Sequence, residues 1–143
     1  MEMGLLGQLG VGLSFAIPAI GAAIAMGLGG PAVIGAYKKC YVQNKKTSFL
    51  FLVFAGTSLT NVLYGLIVAL MLTNSVQPDG VLLLLGLGAG LSIGIVAITQ
   101  SMCSAAAAEA LAETGKGSAS FLIVIGIAET VSIFAMAFAI ALA

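Results

Sequence analysis

The stretch GIAETVSIF, residues 126–134, carries one carboxylate, Glu129, inside an apolar run that continues to Ala143. An ionised carboxylate at the centre of a bilayer costs at least ~2.5 to 3.5 kcal/mol, so a chain that keeps one there has a use for it. Few polar side chains share its depth. Thr57, Thr60, Asn61 and Tyr64 are spaced i, i+3, i+4 and i+7, which puts all four on one face of a helix. Gln100 is the single amide in the core of another apolar segment. A carboxylate, two amide carbonyls and one or two hydroxyls at one depth make a hard-oxygen cage suited to a small cation. With a cation or a proton on Glu129 the group is neutral and passes through lipid. Such amides and hydroxyls also serve simply as hydrogen-bonding glue between helices. A central Glu on a separate segment tips the balance toward ion handling, because intramembrane ionisable groups are functional by default.

The composition makes "bilayer" the right word. Of 143 residues 61% are hydrophobic and only 7% charged, with no His, Trp or Arg, and the mean hydropathy is +1.21; this excludes an ordinary soluble domain. Apolar segments long enough to cross a membrane run over 3–37, 47–78, 80–108 and 114–143. An all-α membrane protein of four transmembrane helices follows. Glu2 stands where a cleaved leader would carry positive charge, and the first apolar stretch is too long for a leader, so it is read as part of the protein. Four of the five lysines, Lys38, Lys39, Lys45 and Lys46, fall within nine residues between the first two spans, and Lys116 lies between the last two. By the excess of lysine in cytoplasmic loops, both termini face away from the cytoplasm. No nucleic-acid surface is implied.

Counting inward from the lysine side, Thr60 lies 13 residues from Thr47, Glu129 lies 12 from Gly117, and Gln100 lies 13 before Glu113 if the third helix continues through AAAAEALAE. At 1.5 Å per residue all sit roughly 18 to 20 Å deep. They share one layer. The segment ETGKGS superficially resembles a phosphate loop, but Ala110 stands where G-x-x-x-x-G-K-[ST] needs Gly, and Gly117 follows the Lys; it is read as a tight turn. Cys40 and Cys103 are far apart, form no C-x-x-C, and are read as reduced structural thiols.

An internal repeat sets the architecture. Shifted by 78, GVGLSFAIPAI (10–20) lies over GAGLSIGIVAI (88–98); shifted by 70, FLVFAGTSLTNVLYG (51–65) lies over FLIVIGIAETVSIFA (121–135). The chain is a duplicated hairpin, 1–78 and 79–143, with Glu129 opposite Leu59, so only the second hairpin carries the carboxylate. Gly86, Gly90 and Gly94 in the third span, and Gly12 and Ala16 in the first, form the small-residue stripes that let membrane helices approach closely. Most of the aromatic bulk lies in spans two and four. Thin helices alternating with thick ones suit two concentric rings of copies, with spans one and three inside and residues such as Ala139 of span four on the lipid side; the alternative is that the Gly-rich helices simply pack within a four-helix monomer.

The duplicated Gly-rich hairpin, LTNVLYG in span two, Gln100 in span three and the ET pair Glu129–Thr130 in span four resemble the four-helix rotor proteolipid of bacterial V-type ATPases, the K or c type of membrane-ring protein. The resemblance covers essentially the whole chain. It implies a homo-oligomeric two-layered rotor ring in a prokaryotic plasma membrane, partnered by a stator membrane subunit and central-stalk subunits, and itself not an enzyme. In its sodium-pumping members a Thr, a Gln and a Tyr of span two, a Gln of span three and a Glu of span four bind the ion, which maps onto Thr60, Asn61, Tyr64, Gln100 and Glu129. The family further implies that the Thr57 backbone carbonyl completes the cage and that Tyr64 holds the carboxylate. Asn61 replaces the usual Gln, so its amide oxygen falls short by one C–C bond, about 1.5 Å; Ser58 stands where Pro is common and could fill the gap. With one carboxylate per four helices, a ring of given girth moves half as many ions per turn as one built from single hairpins, which suits a pump.

Sodium is the expected cargo, because a proton carrier needs only a carboxylate and would leave Thr60, Asn61 and Gln100 without a task; protons are the alternative. A small four-helix multidrug or cation exporter also carries one membrane Glu, but on its first helix and with an aromatic cage that this chain lacks. A non-transporting scaffold would leave Glu129 unexplained.

Overall fold

A computed structural model describes residues 3–143, and Glu2 lies outside the described residues. The helices are α1 (Leu5–Val42), α2 (Leu50–Gly56), α3 (Leu59–Thr73), α4 (Asp79–Thr114) and α5 (Ser118–Leu142). α2 and α3 together make one apolar length, so the chain has four helices long and apolar enough to cross a membrane. The all-α class with four spans is as expected from the sequence. The boundaries differ at the lysine end, where α1 continues through Lys38 and Lys39 and α4 continues through AAAAEALAE to Thr114. At 38 and 36 residues these helices are about 57 and 54 Å long, well beyond the ~30 Å hydrocarbon core. Their charged ends therefore stand clear of it: Lys39 pairs with Glu113, and the Lys45 ammonium donates to the Glu113 carbonyl at 3.0 Å.

α1 and α4 form the most extensive helix pair, and glycine makes it possible. Gly10 meets Gly86 and Gly21 meets Gly94 backbone to backbone. A Cβ at Gly90 would lie 2.7 Å from the Leu13 carbonyl oxygen, and one at Gly94 would lie 2.9 Å from that of Ile17. The third-span stripe is thus the packing stripe that its spacing suggests. The first-span stripe is not: Gly12 is exposed with open space around it, and the contact is made by Gly10, Leu13, Ile17 and Gly21 instead, while Ser14 and Pro18 meet α3. Pro18 has no N–H to give its i−4 partner, Ser14, and Gly65 of α3 closes on that carbonyl, 2.7 Å from where its own Cβ would stand.

α5 packs on α4 and α3 along one stripe, Ile125, Ser132 and Ala139, a repeat of seven. Ala139 therefore sits in an inner cluster with Val68, Leu72 and Leu82 rather than toward lipid. Phe134 and Phe138 of α5 are exposed, whereas Phe51 and Phe54 of α2 turn inward against Val33, Ala36, Ala108 and Leu111. The small side chains of α1 and α4 leave room for these rings near the lysine end.

The second span is broken at Thr57–Ser58, although both residues keep right-handed helical angles. Hydroxyls compete for the ladder there: Thr57 donates to the Phe54 carbonyl at 3.2 Å and Thr60 to the Thr57 carbonyl at 2.9 Å. The α4–α5 turn uses left-handed Gly115 (φ 66°) and Gly117 (φ 88°), a conformation that glycine adopts without strain, as the tight-turn reading of ETGKGS requires. At the far end, the Gly4 amide donates to the Asp79 carboxylate at 3.2 Å and the Ser75 hydroxyl to the Ala143 carbonyl at 2.6 Å. Both ends of the described chain thus gather at the α3–α4 connection, on the side opposite the lysines.

Gly90→Leu is expected to lower the thermal midpoint of the protein in detergent, since forcing a side chain into a filled seam costs about 1 to 3 kcal/mol. Gly88→Leu, on the open face of the same helix, serves as the control and leaves the midpoint unchanged. Circular-dichroism melts make the comparison, and equal midpoints for the two variants would refute the seam.

Candidate functional site

Three spans deliver side chains to one layer. α5 brings Glu129, α4 brings Gln100, and α3 brings Asn61 and Tyr64. The Tyr64 hydroxyl donates to Glu129 Oε1 at 2.8 Å, and Gln100 Nε2 donates to Glu129 Oε2 at 3.3 Å. Asn61 Nδ2 donates to Gln100 Oε1 at 2.7 Å. The chain ends on α5, where the Ser132 hydroxyl donates to Asn61 Oδ1. Asn61, Gln100 and Ser132 are each 0% exposed, while Glu129 is half-buried at the rim. Two donors thus close both oxygens of the carboxylate, the condition that makes a charged group tolerable away from water.

Of the residues predicted from sequence, Glu129, Gln100, Asn61 and Tyr64 join one connected network, and Tyr64 holds the carboxylate. Thr57 and Thr60 lie beside it at the α2–α3 joint. The Thr60 hydroxyl is turned to its own helix, onto the Thr57 carbonyl. The Thr57 hydroxyl meets Ser104 of α4 at 2.8 Å. Among the described residues no hydrogen bond joins either threonine to Glu129. The amides also face differently from a ready cage, because Gln100 offers the carboxylate its NH2, and both amide oxygens accept hydrogen bonds from within the network.

Sequence reasoning passed over Ser132, a member of the network, and Ser104, which pairs with Thr57 beside it, both 0% exposed. A signal was present. Ser132 follows Glu129 by three residues and Ser104 follows Gln100 by four, which sets each on the face of its functional neighbour. Ser132, and not Ser58, is the partner that meets the shortened Asn61 side chain.

No group of three or more His, Cys, Asp or Glu side chains gathers among the described residues. The donor set that could hold a cation is therefore one carboxylate with neutral oxygens: the amides of Asn61 and Gln100, the Thr60 hydroxyl and the Thr57 carbonyl. By chemistry this fits a monovalent, hard cation better than a divalent one, since a single negative charge leaves the loaded site neutral. Cys40 and Cys103 are free thiols.

Removing the Tyr64 hydroxyl opens one carboxylate oxygen. Carbodiimide labelling of Glu129 in Tyr64→Phe is expected to run several-fold faster than in the parent at fixed pH. Tyr37→Phe, at the lysine end, should leave the rate unchanged, and an unchanged rate in Tyr64→Phe would mean that the hydroxyl does not close the carboxylate.

Comparison with known proteins adds one likeness. No curated protein matches the chain. Residues 9–72, spanning most of α1 through α3 and hence the hairpin without the carboxylate, match the family model of the ATP synthase C subunit.

Proposed function

We propose that the chain is the rotor-ring subunit of a V-type ATPase and that it carries sodium across the membrane on Glu129. The observation that carries this reading is the isolated mid-span carboxylate, closed by Tyr64 and Gln100 and backed by buried amides. The likeness of residues 9–72 to the ATP synthase C subunit supports the rotor part of it. The chain hydrolyses nothing itself. Each copy in a closed ring takes an ion from a path in a stator subunit, carries it through lipid as a neutral pair, and releases it on the other side. Rotation is driven through central-stalk subunits by ATP hydrolysis elsewhere in the complex. Thr60, Asn61, Gln100 and the Thr57 carbonyl supply the neutral oxygens around the ion, and Tyr64 steadies the carboxylate. The lysine-bearing end faces the cytoplasm of a prokaryotic cell and both termini face away from it.

A proton is the second candidate cargo, and one observation favours it: each polar atom of the two amides and the Ser132 hydroxyl has a hydrogen-bond partner without an ion. Buried side-chain polar atoms without a partner are absent among the described residues. What favours sodium is the cost of placing so many polar groups where a proton carrier needs none.

Carbodiimide labelling separates the two. It reacts with Glu129 only when the acid is protonated and unoccupied, so sodium at fixed pH should slow it several-fold, and Gln100→Ala should weaken that protection. Labelling that ignores sodium up to molar concentration would make the ring a proton rotor.

A further inference from the structure

The chain Ser132–Asn61–Gln100–Glu129 has a direction. Each link is a single hydrogen bond, and all of them point toward the carboxylate: Ser132 donates to Asn61, Asn61 to Gln100, Gln100 to Glu129. This direction suits a bare carboxylate, which only accepts. It does not suit a cation beside Glu129, which must be met by an oxygen.

We propose that Ser132 is the pivot of a reversible hydrogen-bond relay that lets both amides turn together when sodium binds; this rests on the sodium reading above. Side-chain amide torsions are roughly two-fold, so turning Gln100 and Asn61 by half a revolution exchanges O and N while their heavy-atom positions stay nearly fixed. Gln100 then presents Oε1 to the ion and donates to Asn61 Oδ1, and Asn61 donates to Ser132. Every partner is kept. Without a cation the reversed relay sets the Gln100 oxygen about 3.3 Å from Glu129 Oε2, two acceptors facing each other with no hydrogen between them, so the empty site holds the forward direction. The reversal needs an end group that donates in one state and accepts in the other. A hydroxyl does both, by rotating one bond. Ser132 is 0% exposed, so bulk water does not stand in for it. No covalent bond changes and no proton crosses between residues.

Ser132→Ala removes the pivot and leaves Asn61 with an unpaired oxygen in the empty state but an unpaired N–H in the loaded one. Buried N–H groups are left orphaned less readily than carbonyls, so the loss falls harder on the loaded state. The test uses the assembled protein, with sodium as the probe and carbodiimide labelling of Glu129 as the readout. Labelling without sodium in both variants reports that the site is present. In Ser132→Ala the sodium concentration that halves labelling should rise by about three- to tenfold, and Ser132→Thr, which keeps the hydroxyl, should return it toward the parent value. A parent that is protected while Ser132→Ala is equally protected would overturn the relay alone. So would Ser132→Thr behaving like Ser132→Ala while the parent is protected. A parent that sodium does not protect at any concentration would overturn the sodium reading and the relay with it.

Discussion

Everything about the site follows from the difficulty of holding a carboxylate in a low-dielectric span. Glu129 escapes that penalty in two ways: it lies at the half-buried rim of α5, and both of its oxygens are met, by a phenol from α3 and an amide from α4. Neither donor is on its own helix. The carboxylate is therefore stable only if three separate spans hold their depth to within a fraction of an ångström, and the rest of the protomer is arranged to keep them there.

The seam between α1 and α4 sets that depth. Glycines bring the two backbones into contact at Gly10–Gly86 and Gly21–Gly94, so α4 has little freedom to slide, and Gln100 lies just beyond this contact. Farther along, the Ser101 hydroxyl donates to the Ala25 carbonyl of α1 at 2.6 Å, one residue from Gln100, and fixes the rotation of α4. α3 is fitted to α1 through Gly65 against Pro18. The buried Phe51, Phe54, Ser58 and Asn61 follow one another at three, four and three residues, so α2 and α3 keep one inward face through the break at Thr57–Ser58. α5 rests on a single stripe, which leaves one side of Glu129 open. Rigid support with one open side suits the ion exchange proposed for Glu129.

Much of this was readable from residue types. The four spans follow from apolar length, and the shared layer of Glu129, Gln100 and Asn61 follows from counting depth at a constant rise, because long membrane helices have little freedom to depart from it. Tyr64 follows from the helix face it shares with Asn61, while Thr60, counted into the same layer, turns its hydroxyl to its own helix. The choice among glycines was not readable: α1 has so many that several stripes are equally spaced, and only the partner helix decides that Gly10 and Gly21 are used while Gly12 is not. Ala139 was misplaced for a similar reason, since an alanine fits lipid and a helix contact equally well. The direction of the amides was also beyond the sequence, which names donors and acceptors together in one side chain. Ser132 was passed over because serine in a membrane helix commonly satisfies itself on its own backbone; its three-residue offset from Glu129 was the available clue.

The central claim is that Glu129 carries the ion. Its most direct test is ATP-driven sodium uptake into sealed vesicles bearing the complete ATPase with Glu129→Gln in every ring protomer. The amide is nearly isosteric and removes the buried charge, so the account predicts an assembled ring that takes up no sodium. Sodium uptake at the parent rate through an assembled Glu129→Gln ring would contradict it.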